Sequence, residues 1–337
     1  MKITTVGLDL AKSVFHVVCF DASHHEVGKR MLRRSEVMKY FSHLEPCRVA
    51  MEACAGAHYW GRELQRLGHR VKLIAPQFVK PYVQGNKNDY NDARAIAEAA
   101  TRPAMRAVSI KSVEQQDIQA LHRLRAQRIK ERTALCNQLR ALVAEYGLVM
   151  NKGVASVRRA VPQLLEDAEN GLSTLFRGLL KRGYDQLVEL EGHIDFYTGQ
   201  IEQTSRQDER CRRLQAVPGF GPIVASVFVG QVGDGKAFRR GRDVSAALGL
   251  VPRQHSSGGK EVLLGISKKG DGYLRSLLVH GARSVVLHAK AKDDKLSQWI
   301  NRLCERRGIN KTAVALANKL ARMGWALLRN DTKYCPA

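Results

Sequence analysis

The chain has 337 residues, 44% of them hydrophobic, and 55 Lys and Arg against 32 Asp and Glu give a formal net charge of +23. That apolar content excludes wholesale disorder, and the length suits two or three domains of about 100–150 residues each. The charge excess goes well past what solubility needs and fits a polyanionic partner.

Seven Cys, at 19, 47, 54, 136, 211, 304 and 335, include no Cys-x-x-Cys. The pattern supports neither a disulfide framework nor a zinc site and suits a reducing interior. Asp9 stands where a signal peptide needs apolar residues, and no apolar run reaches membrane-span length. A cytoplasmic protein with no membrane partner is expected.

In chain order, residues 3–10 read as a strand, 14–20 as a second after the turn at Ala11, Lys12 and Ser13, and 25–32 as a third, polar one. Ser35 opens a helix to about His43. Residues 48–53 form a fourth strand, 59–67 a helix ending at Gly68, and 70–75 a fifth strand. The stretch from Lys87 to Arg94 then opens a helix rich in Ala and Glu. A meander of three strands followed by alternating helix and strand implies a mixed sheet covered by helices.

Asp89 and Asp92 are spaced to lie on one face of that last helix, in its first turn. A local reading is enough for them taken alone: Asn88 or Asp89 caps the helix, and Asp92 favours its positive end. Two further acids change the weighing. Asp9 comes near the end of the first strand, which should be central, and Glu52 ends the fourth. Acids in strands otherwise built of Ile, Val, Leu and Met are costly to bury without a cation or donors. Four carboxylates meeting at one sheet edge would raise one another's pKa values, a conflict that a hard divalent ion, Mg²⁺ or Mn²⁺, resolves.

Here a resemblance enters. Gly7-Leu8-Asp9-Leu10-Ala11-Lys12, Met51-Glu52-Ala53-Cys54-Ala55-Gly56 and Asp89-Tyr90-Asn91-Asp92-Ala93-Arg94, in this order, resemble the RuvC-like, RNase H-type α/β domain of DEDD transposases. More narrowly they resemble the insertion-sequence-one-ten family of bacterial transposases. The resemblance implies that Asp9, Glu52, Asp89 and Asp92 are catalytic acids and metal ligands. Gly-x-Asp before a hairpin also opens actin-like ATPases and sugar kinases, but those folds need a second phosphate hairpin, and none is found here.

From Ser112 to Tyr146 no Pro or Gly occurs, and Ile118, Leu121, Leu124, Leu135, Leu139 and Leu142 recur at helical spacing. The polar face carries Arg123, Arg125, Arg128, Lys130, Arg132 and Arg140, a set that is either solvated or in contact with phosphates. After a looser stretch over 151–171 a second helical run follows, with Gly183 and Gly192 weakening it. Its Leu187, Leu190, Ile194, Tyr197 and Ile201 are spaced like a coiled-coil seam. The seam suits packing on the first helix or on a second copy; the resemblance implies a protomer contact and hence a homo-oligomer, dimer or tetramer.

The run from Leu214 to Ala225, with Pro218-Gly219-Phe220-Gly221-Pro222 at its centre, has the form of a helix-hairpin-helix element. Gly219 and Gly221 could seat one phosphate on exposed backbone N–H groups or merely turn the chain between packed helices. Between Gly235 and Lys292 twelve Lys or Arg stand against three acids, and Arg253, Lys260, Lys268, Lys269 and Arg275 are the expected phosphate contacts. His280 and His288 fall in an apolar helix and are expected to pack, as is the Ala/Leu-rich helix over 312–328 with Trp325.

Gly249-Leu250-Val251-Pro252-Arg253, then Ser257-Gly258, Ile266-Ser267-Lys268-Lys269-Gly270-Asp271 and Tyr273-Leu274-Arg275 match the second signature of the same family. There a serine before Gly is implicated as nucleophile, which maps onto Ser257, with Ser256 in reserve. No His is convincingly placed as its base; His255 is near in sequence, and metal-bound water or the acid cluster could equally accept the proton.

Together these readings give an α/β RNase H-like domain over 1–110, a helical, coiled-coil linker over 111–205, and a mainly α C-terminal domain over 206–337. The expected activity is cutting and rejoining DNA strands as a transposase. The resemblance further implies a 5′-phosphoserine intermediate, a composite site built from two protomers, donor and target DNA as substrates, and a structured non-coding bridge RNA. A bacterial cytoplasmic, nucleoid-associated location follows. The rivals are a metal nuclease or junction resolvase without serine chemistry, and a non-catalytic nucleic-acid scaffold.

Overall fold

The computed structural model describes residues 2–86 and 88–336, so Lys87 of the stretch that opens the acid-bearing helix lies outside the described residues. The chain divides into two compact units, Met1–Val113 and Glu114–Ala337.

In the first unit, β1 (Thr5–Asp9), β2 (Val14–Phe20) and β3 (Glu26–Arg33) form an antiparallel meander. A three-ten turn leads into α1 (Val37–Ser42), followed by β4 (Arg48–Glu52), α2 (Ala57–Arg66), β5 (Arg70–Ile74), the single turn α3 (Pro76–Val79) and α4 (Asp89–Thr101). A two-residue strand, β6 (Ala107–Val108), pairs antiparallel with β5 and was not foreseen. Strand order is β3-β2-β1-β4-β5-β6, and the β1–β4 and β4–β5 pairs are parallel. The mixed sheet with β1 near its centre is therefore present.

Period-two alternation divides the sheet into two faces. Val6, Leu8, Phe15, Val17, Val49 and Met51 pack with α1 and α2 through Val37, Phe41, Trp60 and Leu64. On the other face Ala50 and Ile74 pack with Ala95, Ile96, Ala99 and Ala100 of α4. Small residues let this helix come close. A Cβ on Gly7 would stand 2.0 Å from the Ala93 carbonyl oxygen, so β1 can pass under α4 only with Gly at this point.

The second unit opens with α5 (Val113–Ala144), α6 (Val154–Glu166) and α7 (Thr174–Gln207). Helix α6 corrects the looser stretch expected over 151–171. Pro162 sits inside it, yet Val157 and Val161 are buried in a core with Cys136, Leu139, Phe176 and Leu180. Proline removes the N–H that would reach the Arg158 carbonyl, and the Tyr184 hydroxyl donates to that carbonyl instead, at 3.5 Å. Gly183 likewise has a packing reason: a Cβ there would lie 2.6 Å from Leu139 Cδ2. Leu187, Leu190, Ile194 and Ile201 of the expected seam are buried within this one chain, which assigns the seam to intramolecular packing.

Helices α8 (Glu209–Gln215), α9 (Pro222–Val232), α10 (Gly241–Ala247), α11 (Gly272–His288), α12 (Lys295–Arg307) and α13 (Ile309–Asn330) complete the unit, with a ribbon of β7 (Pro252–Gln254) and β8 (Leu263–Ile266) projecting between α10 and α11. Their shared core includes Phe228, Leu278, Leu316 and Leu320, and α13 packs on α8, α10, α11 and α12. Trp325 donates its indole N–H to the Gly235 carbonyl at 3.0 Å. A buried polar link joins three helices: His122 of α5 bonds Ser226 of α9 at 2.8 Å through Nε2 and the Tyr273 hydroxyl of α11 at 3.1 Å through Nδ1. His280 and His288 do not pack; both are exposed on the outer face of α11, because the buried stripe runs through Leu274, Leu278, Ala282 and Val286.

Candidate active site

Residues two apart on a strand share a face, so Asp9 faces the same way as Gly7, toward α4, and Glu52 the same way as Ala50. Asp9 is the last residue of β1 and Glu52 the last of β4, at the carboxyl ends of two adjacent parallel strands. Asp89 and Asp92 occupy the first turn of α4, above them. Asn88 is the cap: its side chain accepts from the Tyr90 N–H at 2.9 Å. Capping therefore does not use Asp89 or Asp92. At the far end of α4 the Lys72 ammonium donates to the Ala100 carbonyl at 2.9 Å, so both helix ends carry charges that suit its dipole.

The electrostatics follow from the crowding. Asp9 is pushed up from the usual carboxylate range to about 6, first by burial and then by the charges of Asp92 and Asp89, with a smaller contribution from Glu52. Burial also raises Glu52, with Asp92 adding to it. Among the described residues none of the four is ion-paired to Lys or Arg. The nearest Arg in sequence, Arg94, bonds Glu26 at 2.7 Å and Asn91 at 2.8 Å instead. His16 is the basic neighbour that sequence reasoning missed. It pairs directly across from Asp9 in the β1–β2 register, and its Nδ1 lies 3.5 Å from Asp89 Oδ2. Only the antiparallel register carries that signal.

An all-oxygen donor set with uncompensated negative charge fits a hard divalent cation. The four are not drawn into a closed cage: among the described residues no three His, Cys, Asp or Glu side chains form a metal-holding group.

In the second unit, Ser257 sits at the tip of the β7–β8 ribbon. Ser257 and Lys260 form a bridge, with the Lys260 N–H donating to the Ser257 carbonyl at 3.1 Å. Gly258 and Gly259 between them have φ of 57° and 77°, the pattern of a tight two-residue hairpin turn that demands Gly. Ser257 is exposed and its hydroxyl has no hydrogen-bond partner among the described residues. The Ser256 hydroxyl, by contrast, accepts from the Val262 N–H at 3.3 Å, which distinguishes the two serines. His255 is exposed, and its backbone N–H donates to Val262.

The ribbon stands on a fixed base. A Cβ on Gly249 would meet the Lys269 backbone at 2.3 Å, and one on Gly270 the Ala247 carbonyl at 1.8 Å. Arg275 donates to the Leu248 carbonyl at 3.0 Å and the Lys269 carbonyl at 3.2 Å, so this guanidinium supports the base of the ribbon. Arg253, Lys260, Lys268 and Lys269 are exposed along it. In the α8–α9 turn Gly219 has φ of 94°, and a Cβ on Gly281 of α11 would lie 2.1 Å from its carbonyl oxygen; packing alone accounts for that glycine. Gly221, just ahead of α9, faces open space. Of the six basic residues expected on α5, Arg123 and Lys130 are exposed, whereas Arg125 donates to Thr198 at 2.7 Å and Arg140 to the Met150 carbonyl at 3.2 Å. All seven Cys are free thiols, and among the described residues no helix is long and apolar enough to cross a membrane.

An acid-edged mixed sheet followed by a basic, largely helical unit defines a chain built to work on nucleic acid strands. Two family models place it further: a DEDD transposase model matches residues 6–148, which hold all four acids, and the transposase IS116/IS110/IS902 family model matches 211–298, which hold Ser257. The chain is 50% identical over 337 residues, the full length of both, to a probable family 20 transposase of Pseudomonas aeruginosa. It is 45% identical to the transposase for insertion sequence element IS1111A of Coxiella burnetii, covering 99% of this chain and 92% of that one. With the transposase for IS1328 of Yersinia enterocolitica the identity is 40%, over 99% of each chain. The chain belongs to the IS116/IS110/IS902 family of transposases: it is a DNA recombinase that mobilises an insertion sequence.

Proposed function

We propose that this transposase cuts and rejoins DNA through a serine ester, with Ser257 as nucleophile and Asp9, Glu52, Asp89 and Asp92 as a metal-binding group. The observation that carries the reading is the placement of Asp9 and Glu52 at the carboxyl ends of β1 and β4, beside Asp89 and Asp92 of α4, with no Lys or Arg ion-paired to any of the four among the described residues. The first unit is then an RNase H-like, RuvC-like domain. When bound, Mg²⁺ or Mn²⁺ supplies polarisation of the scissile phosphate.

The chain's own residues do the rest. Ser257 Oγ attacks the phosphorus, its proton passing to water or to His255. The phosphorus–O3′ bond breaks and the departing O3′ takes a proton from water, leaving a 3′-hydroxyl on one strand end and a 5′-phosphoserine on the other. Attack by the 3′-hydroxyl of another strand re-forms the phosphodiester and returns the serine. Arg253 and Lys260 offset the charge that builds on the phosphoryl oxygens. Lys268 and Lys269 hold neighbouring phosphates, and the open Gly221 end of the α8–α9 turn, at the α9 N-terminus, suits another. Donor and target DNA are chosen by base pairing with a structured bridge RNA, which accounts for the lack of an evident base-reading module. The working form is a homo-oligomer on the nucleoid.

The test is a denaturation-resistant protein–DNA adduct. It is expected in the parent protein with Mg²⁺ and absent in Ser257→Ala, while Ser256→Ala retains it. Normal recombination by Ser257→Ala would instead leave a plain metal nuclease reading of the acids.

A further inference from the structure

The ribbon that carries Ser257 has an apolar flank that the folded chain does not cover. Val262, Leu263 and Leu264 are 43%, 64% and 46% exposed, and every residue of β7 is exposed. Leu263 and Leu264 are successive, so they point to opposite faces of the ribbon. A two-stranded ribbon is marginal in water by itself, and one with leucine on both faces has no folded-state reason to be so. The base, in contrast, is clamped by Gly249, Gly270 and Arg275. What projects is therefore a finger with apolar sides, a serine at its tip, the cations Arg253 and Lys260 along it and Lys268 and Lys269 at its base, against the single acid Glu261.

We infer that this ribbon is a DNA wedge: Leu263 and Leu264 insert between base steps of the duplex beside the phosphate that Ser257 attacks. The inference rests on the proposal that Ser257 meets DNA. Charge complementarity selects the occupant, because a duplex brings phosphates to the cations and stacked bases to the leucines in one approach. Apolar side chains inserted at a base step unstack it and kink the duplex. At a recombination site that distortion frees bases to change pairing partner, and it opens the backbone around the phosphate to a serine on a short turn.

The experiment uses the full chain carrying Ser257→Ala, so that no strand is cut, and short DNA duplexes with 2-aminopurine at successive positions, at low salt. Binding is expected to raise the probe's fluorescence at a base step. The added pair Leu263→Ala and Leu264→Ala should abolish the rise while leaving the melting temperature and duplex affinity close to the parent's. Leu263→Thr with Leu264→Thr, which keeps strand-forming residues, serves if the alanine pair perturbs folding. In the Ser257-intact protein the leucine variants should slow adduct formation about tenfold on paired duplex, and a mismatch at the target step should restore the rate, because unstacking no longer has to be driven.

Unchanged fluorescence on binding, or a rise that survives both leucine pairs, overturns the wedge. So does a change of oligomer size with Leu263→Lys in sedimentation while the DNA signal persists, which would give the flank to a second copy. The two readings fail separately. A parent protein that unstacks DNA but never forms an adduct loses the serine mechanism and keeps the wedge.

Discussion

Asp9 carries a local electrostatic conflict in the first unit. Its folded pKa of about 6 lies above the ordinary 3.8, so the folded state holds its proton more tightly than the unfolded chain does. The cost is absent below about pH 4, grows as pH rises through about 6, and is fully present above that. Asp9→Asn is therefore expected to stabilise the metal-free protein at pH 8 by roughly 1–2 kcal/mol, after allowance for solvent screening of a half-buried group, and to change little at pH 4. Denaturant midpoints with chelator at the two pH values check this, and added Mg²⁺ should stabilise the parent but not the variant. Gly7 sets the other limit at this scale. Gly7→Ala places a methyl 2.0 Å from the Ala93 carbonyl, and the expected loss is about 3 kcal/mol or a displaced α4. Thermal melting reads the first outcome, and loss of Mg²⁺-dependent stabilisation reads the second.

Among elements, those with a clean period were legible and those held by neighbours were not. The first five strands follow from alternation, and Val14–Phe20 coincides with its expected bounds. Helix α6 was hidden by Pro162, whose cost is offset by Tyr184, a partner 26 positions away at Arg158. The four acids were visible as charged residues at strand ends and in a first helical turn. Their meeting needed the close seat of α4 on Gly7, and His16 needed the strand register, neither of which has a local signature. The Ser257 ribbon is the converse case: its turn is written in two consecutive glycines, but its exposed leucines read as ordinary strand. Gly258→Asn, which tolerates positive φ, is expected to keep adduct formation near the parent level, while Gly258→Val with Gly259→Val loses it by about tenfold or more as the turn opens. Adduct yield at fixed time measures both.

Across the whole molecule, Asp9 and His122 are expected to give the two units opposite responses to acid. Burial lowers His122 from 6.5 to about 4, so the folded second unit resists the proton that the unfolded chain accepts. Its stability is fully present above about pH 6.5 and falls by about 3 kcal/mol on the way down to pH 4, where Asp9 has stopped penalising the first unit. Calorimetry from pH 8 to 4 should show the transition of Glu114–Ala337 moving down, while that of Met1–Val113 holds or rises. His122→Phe should blunt the downward shift. The place of α13 has a consequence in time. Residues 2–113 can close their core as soon as they leave the ribosome, whereas the core of the second unit includes Leu316 and Leu320 and cannot close before they emerge. Domains generally fold as units while the chain grows. On the proposed mechanism, a nascent chain thus presents its folded acids well before it can hold Ser257 on a finished base.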